Sequence, residues 1–143
     1  MDSALQYAQT KLASIVQSIR TLVECESPSD DPAAVNRFVE LFTSEIADIA
    51  KVRTFPGGGR FGKHMRCQFQ LPGPRRKSGQ ILALGHSDTV YPMGILRTMP
   101  WREKDRRLWG PGVLDMKSGI ALILHALEAV SYTHLTLPTK RIV

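Results

Sequence analysis

From residue 3 to residue 23 the apolar side chains fall at Leu5, Leu12, Ile15, Val16, Ile19, Leu22 and Val23. Steps of three, four and seven put them on one stripe of a helix, and such a stripe packs against something larger. Residues 24–31 form a polar break rich in Ser, Pro and Asp. Asp31-Pro32 then reads as a helix N-cap followed by proline at the first helical position, both favoured there. The next helix carries Val35, Phe38, Val39, Phe42, Ile46 and Ile49 on one face. Both stripes are core faces rather than cofactor boxes. Residues 51–55 are a short strand candidate, and Pro56-Gly57-Gly58-Gly59 is a flexible turn. It is not a phosphate loop, because no Gly-Lys-Ser/Thr and helix follow it. Residues 64–71 alternate, with Met65, Cys67, Phe69 and Leu71 on one side, the pattern of a half-buried strand.

Gln80-Ile81-Leu82-Ala83-Leu84 is apolar without alternation. A short unbroken run of this kind predicts a strand buried on both faces, as in a parallel sheet. It leads into Gly85-His86-Ser87-Asp88-Thr89-Val90, so His86 falls at the carboxyl end of the strand, where open α/β sheets hold ligands. Residues i and i+2 of an extended segment share a side, so His86 and Asp88 can face one pocket. A metal-ligating histidine usually gives its second ring N–H to a carboxylate. A solvated His and Asp in a loop would look the same, so the pair needs a second signal. That signal lies downstream. Residues 90–100 read as a loop and residues 101–109 as a hairpin with a charged tip. Gly110-Pro111-Gly112 is a tight backbone passage. Asp115 follows, then Ser118 as an N-cap. The last helix is apolar nearly all round, with Ile120, Leu122, Ile123, Leu124, Leu127 and Val130, and is therefore buried on more than one face. Asp115 near its N-terminus gains roughly 0.3–1 kcal/mol from the helix dipole. His125, inside the helix, reads as a packed or hydrogen-bonded histidine.

Composition changes this picture little. The chain has 143 residues and is 43% apolar, enough for one domain with a real core. No run approaches the length of a transmembrane helix, and residues 1–4 lack the basic and apolar regions of a signal peptide. Two cysteines, Cys25 and Cys67, without a Cys-x-x-Cys, suit free thiols in a reducing cytoplasm, with a single disulfide as the alternative. The formal charge of +6 is partly gathered in Arg75-Arg76-Lys77 and in residues 102–107. No aromatics interleave with these charges for base stacking, so they read as a solvated loop and a polar hairpin rather than a nucleic-acid surface.

Taken together, apolar-x-apolar-Gly-His-x-Asp-Thr-Val at residues 82–90 and Gly-x-x-Asp-x-Lys-x-Gly at residues 112–119 resemble the co-catalytic zinc peptidase and deacylase family, metallopeptidase family twenty. Weaker similarity runs from about Leu22 to about Val130 and includes Glu26-Ser27-Pro28-Ser29. The resemblance implies a partial α/β catalytic domain, a mixed and mostly parallel sheet flanked by helices. It implies His86 and Asp115 as metal ligands, Asp115 bridging two zinc ions, and Asp88 as the catalytic-site residue that orients the His86 ring. Zinc takes imidazole nitrogen and carboxylate oxygen and leaves a position for water or substrate; cobalt or manganese would suit the same donors. The implied reaction is hydrolysis of an amide or peptide bond beside a free carboxylate by a metal-activated water, with a glutamate as base. The implied substrates are small peptides or N-acyl amino acids. Gly85 to Pro92 and Pro100-Trp101-Arg102 are most similar to the glutamate carboxypeptidase group; an N-acyl amino acid deacetylase or desuccinylase is the alternative. A homodimer in the cytoplasm, without nucleic-acid or membrane partners, is the expected setting.

The chain departs from that pattern in two places. The family usually has glycine after the aspartate at the hairpin tip, whereas Arg106 follows Asp105 here, so the turn is expected to be longer or strained. The family's later Glu-Glu pair, further acidic ligand and late histidine have no counterpart after Asp115. Glu128 is too close and on the helix, and His134 is in the wrong context. With fewer than three protein ligands per catalytic zinc, the chain by itself is expected to be inactive. Residues 1–130 are thus read as the N-terminal part of a catalytic domain. Residues 131–143 lack a helical period and resemble the translated end of a sequencing adapter, a non-native tail whose removal takes away Lys140 and Arg141 and lowers the charge by two. Two non-enzymatic alternatives remain: a small basic binding module, and a short non-catalytic relative acting as an interaction domain.

Overall fold

The computed structural model describes residues 3–71 and 79–136. In chain order the elements are α1 (Ser3–Thr10), α2 (Leu12–Glu24), α3 (Pro32–Ile46), β1 (Ala50–Phe55), β2 (His64–Phe69), a 3-10 turn (Ile95–Arg97), β3 (Arg102–Lys104), β4 (Arg107–Trp109) and α4 (Ser118–Thr136). Helix and strand are mixed, as in a partial α/β domain. The basic cluster Arg75-Arg76-Lys77 and residues 137–143 lie outside the described residues.

The long first helix expected from the apolar stripe is divided at Lys11 into α1 and α2. At the division the Tyr7 carbonyl accepts both the Thr10 hydroxyl at 2.8 Å and the Lys11 N–H at 3.0 Å. The stripe is buried only in its second half: Ile19, Leu22 and Val23 are core residues, while Leu5 and Leu12 are exposed. In α3 the expected face is buried at Val35, Phe38, Val39 and Ile46, and the helix ends before Ile49. Its start is as expected. Asp31 accepts from the Ala34 N–H at 2.9 Å, with Pro32 at the first position. The centre of the core is Ile19, Leu22, Val23, Phe38 and Ala121, joining α2, α3 and α4.

The sheet differs from expectation. β1 pairs with β2 in antiparallel register, Val52 opposite Cys67, and β3 pairs with β4 likewise. Among the described residues these are two separate two-stranded sheets. Gln80 to Leu84 forms no strand there, and Ile81, Leu82 and Leu84 are largely exposed, Ile81 at 99%. A doubly buried strand needs a neighbour on each edge and a layer on each face, and the described residues provide none for this run. Among the described residues the one parallel contact is an isolated bridge between Pro28 and Thr89.

The β3–β4 turn is not lengthened. It has two residues, Asp105 (φ 53°) and Arg106 (φ 60°), both left-handed. Aspartate tolerates that region; at Arg106 the side chain pays the steric cost that glycine would avoid. Helix α4 also runs on past Val130 to Thr136, the last described residue, further than the sequence pattern indicates.

A polar chain crosses the helices. Tyr7 of α1 donates to Glu128 Oε2 at 3.0 Å. His125 Nδ1 lies 3.0 Å from the same oxygen, though not aligned as a hydrogen bond. His125 Nε2 is 3.0 Å from the Ser18 hydroxyl of α2. His125 is buried, so the structural role expected from sequence is the one it has. Burial, then the Glu128 hydrogen bond and charge, push the Tyr7 phenol up to about 12. A phenol harder to ionise when folded contributes its full stability below about pH 10 and loses it as pH rises towards 12, because the unfolded chain ionises first. Urea midpoints are therefore expected to fall over that window, and to fall less in Tyr7→Phe. Equal slopes for the two proteins would refute the link.

Candidate metal centre

Two segments that are not regular strands or helices carry the site. The first, residues 85–89, is held by the polar break between α2 and α3. The Thr89 N–H donates to the Ser27 carbonyl at 2.8 Å, and the Ser29 N–H donates to the Thr89 carbonyl at 3.0 Å. The Ser27 hydroxyl, fully buried, donates to the Ser87 carbonyl at 2.6 Å. Downstream, the Glu26 carboxylate accepts from the N–H groups of Gly94 and Leu96, both at 3.1 Å, and so fixes the loop after the site.

The second segment, Val113–Lys117, is a short helical turn broken inside by extended backbone at Asp115 (φ −121°, ψ 94°); the Asp115–Met116 peptide bond is cis. Gly112 precedes it at φ 70°, where a side chain would be strained, and a Cβ there would stand 2.6 Å from Thr89 Cγ2. Glycine thus lets the two segments touch. Lys117 closes the turn: its backbone N–H donates to the Gly112 carbonyl at 3.0 Å. Its buried ammonium donates to the Cys25 carbonyl at 2.7 Å and lies 5.2 Å from the centre of the Phe38 ring.

These supports bring together all three side chains singled out from the sequence. His86 Nε2 lies 2.9 Å from Asp115 Oδ1. On the other side of the ring, Nδ1 lies 3.1 Å from the Asp88 carbonyl and 3.3 Å from Asp88 Oδ1. Asp88 Oδ2 accepts from the Ser29 hydroxyl at 2.6 Å. The site is open: the side chains of His86 and Asp115 are 48% and 85% exposed. Burial opposes charge on His86, but the Asp115 hydrogen bond, the Asp88 carbonyl and the two carboxylate charges outweigh it and raise its pKa. The Ser29 hydrogen bond, against the effect of burial and with help from the Asp88 N–H and His86, holds the Asp88 carboxyl below its ordinary value.

The donor set fits part of a metal centre. Two ligands on a tetrahedral zinc at about 2.0–2.1 Å stand about 3.3 Å apart, near the separation of His86 Nε2 and Asp115 Oδ1. Asp88 occupies the other ring nitrogen, the usual place of an orienting carboxylate. Among the described residues no third His, Cys, Asp or Glu completes a metal-holding group. A cleft of about 1150 Å³ between α1, the β1–β2 hairpin and α4 is lined by Tyr7, Lys51, Gln68 and Glu128, and not by the three site residues. Sequence reasoning left Ser29, Ser27, Glu26 and Lys117 without roles; the signal available for the first three was only the Glu-Ser-Pro-Ser run.

The profile of peptidase family M20/M25/M40 matches residues 82–142, the stretch that carries His86, Asp88 and Asp115. This match, together with the relatives below, supports a fragment of that family. It is 29% identical over 126 residues to carboxypeptidase G2 of Pseudomonas sp. (strain RS-16), an alignment covering 86% of this chain and 29% of that protein. Succinyl-diaminopimelate desuccinylase of Corynebacterium glutamicum is 27% identical over 92% of this chain and 32% of its own length. Acetylornithine deacetylase of Photorhabdus laumondii is 27% identical over 90% of this chain and 34% of its own. The chain thus spans about a third of the length of the curated relatives it matches. No helix among its described residues is long and apolar enough to cross a membrane.

Proposed function

We propose that this chain is the N-terminal part of the catalytic domain of a metal-dependent hydrolase that cleaves an amide or peptide bond beside a free carboxylate. The observation that carries the proposal is the meeting of His86 Nε2 and Asp115 Oδ1 at 2.9 Å from segments 29 residues apart. His86 and Asp115 would hold zinc, with Asp115 able to offer an oxygen to a second ion; cobalt or manganese would fit the same donors. When bound, the metal supplies an activated water and polarises the scissile carbonyl. What the chain's own residues do is narrower. The Asp88 carbonyl and carboxylate favour the ring proton on Nδ1, in competition with the Asp115 carboxylate beside Nε2, and a bound metal would take the Nε2 lone pair. Residues 27–29 fix the backbone that carries both His86 and Asp88.

A glutamate-releasing carboxypeptidase is favoured by the likeness to carboxypeptidase G2, and an N-acyl amino acid deacylase is the second reading, favoured by the other two relatives. In the same proposal the substrate is a small peptide or N-acyl amino acid, the longer protein is a cytoplasmic homodimer, and neither nucleic acid nor membrane is a partner. Residues 1–130 belong to the catalytic domain, and residues 131–143 are a non-native tail. The 143-residue chain, short of ligands, would not turn over.

Reading the source gene through and beyond codon 130 with a different library chemistry is the test. A frame that continues to a Glu-Glu pair, with a product that releases glutamate from N-acylglutamates faster than acetate from N-acetylornithine once zinc is added, is the expected result. The reverse preference moves the assignment to the deacylase. A genuine stop codon after Val143 ends the hydrolase reading for this gene product.

A further inference from the structure

We propose that Ser29 is a positioning residue of this centre, its hydroxyl fixing the Asp88 carboxylate so that Asp88 in turn fixes which nitrogen of His86 is free for a metal. The inference rests on the proposed metal role of His86, but its geometry is independent of any ion. The Ser29 hydroxyl reaches Asp88 Oδ2 at 2.6 Å and lies 3.2 Å from the Thr89 carbonyl. With Oδ2 engaged, Oδ1 is the oxygen turned to His86 Nδ1, at 3.3 Å. Ser29 does not move freely, because its own N–H is bonded to the Thr89 carbonyl and Ser27 takes the Thr89 N–H on the other side of Pro28. The serine, the carboxylate and the ring are therefore set by one backbone ladder, the Pro28–Thr89 bridge.

The tautomer is what this arrangement decides. A neutral imidazole carries one proton, and both His86 nitrogens face oxygen acceptors: Nδ1 the two oxygens of Asp88, Nε2 the Asp115 carboxylate. A proton on Nε2 would block the nitrogen that meets Asp115. The Asp88 carbonyl at 3.1 Å favours the proton on Nδ1, and the carboxylate adds its charge to that preference while it stays beside the ring. Without the serine hydroxyl, that carboxylate is free to rotate towards solvent, since its side chain is 41% exposed. Orienting partners of this sort typically change metal affinity by about 10–100-fold.

The test uses the 143-residue chain and its Ser29→Ala and Ser29→Thr variants. Nitrogen-15 NMR of the His86 ring without metal, at a pH where it is neutral, reads the tautomer; zinc titration reads affinity. Ser29→Ala is expected to shift the ring towards the Nε2–H form and to weaken zinc by about tenfold or more. Ser29→Thr, which keeps the hydroxyl, is expected to restore both. Ring shifts and zinc affinity unchanged in Ser29→Ala, with the urea midpoint also unchanged, overturn the proposal. If the alanine variant unfolds, Ser29→Cys, similar in size with a weaker donor, is judged by the same two readouts. If the parent chain binds no zinc, the metal assignment fails, and the tautomer comparison alone decides the role of Ser29.

Discussion

Asp115→Ala, placed in the longer protein proposed above, is expected to lower kcat/KM by about a thousandfold or more. Lewis-acid and water-activating roles of a catalytic metal are worth several kcal/mol, and about 4 kcal/mol corresponds to three decades of rate. Asp115 meets His86 Nε2 directly, so removing either is expected to have the same effect, and removing both little more, because groups acting on one centre are not additive. The loss would not be a loss of fold. The Asp115 side chain is 85% exposed and the core lies elsewhere, so the urea midpoint is expected to move by no more than about 0.5 kcal/mol in equivalent stability. Zinc content, urea midpoint and kcat/KM measured on the same preparations separate the two causes. An Asp115→Ala protein that keeps its zinc and stays within tenfold of the parent rate would remove Asp115 from the centre.

The parts legible in the sequence were those encoded locally. Asp31-Pro32 announced the start of α3 through its own capping chemistry, and the alternation of Met65, Cys67 and Phe69 announced β2. His86, Asp88 and Asp115 were legible because their motifs stand apart from any core pattern, and the structure brings them together across 29 residues. What the sequence hid depends on contacts between distant segments. Ser29 meets Asp88 across 59 residues, Glu26 meets Leu96 across 70, and Lys117 meets Cys25 across 92; nothing in the periodicity of either partner marks such a pair. The run Gln80 to Leu84 shows the converse. Its composition states that it needs burial, but not which neighbour provides it, and among the described residues it stays exposed and outside any sheet.

Lys117→Met is expected to weaken zinc binding by about 10–100-fold while leaving the fold near its original stability. The ammonium is 1% exposed, and burial pulls its pKa down to about 8 against the opposing charges of Cys25 and Glu26. At pH 7 the folded chain thus carries a cation whose desolvation is a standing cost. As pH rises from about 8 towards 10.5 the folded form gives up its proton before the unfolded form does, so the contribution of this group to stability improves across that window. Methionine, similar in length and apolar, removes the desolvation cost but leaves the Cys25 carbonyl without its partner, a loss of about 1–3 kcal/mol. Those two changes oppose each other, so the urea midpoint at pH 7 is expected to move little, and its rise between pH 8 and 10.5 is expected to shrink. The metal site has no such compensation. The Lys117 ammonium is the tether from the Asp115 turn to the end of α2, and α2 leads directly into the residues that hold His86 and Asp88. With the tether gone, the His86 N–H contact to Met116 Sδ at 3.4 Å, the His86–Asp115 contact and the close approach of Gly112 to Thr89 are what hold the two segments in register. Zinc titration and urea midpoints at pH 7 and pH 10 decide the matter. Unchanged zinc affinity, together with a pH response identical to that of the parent, would make Lys117 a bystander to the site.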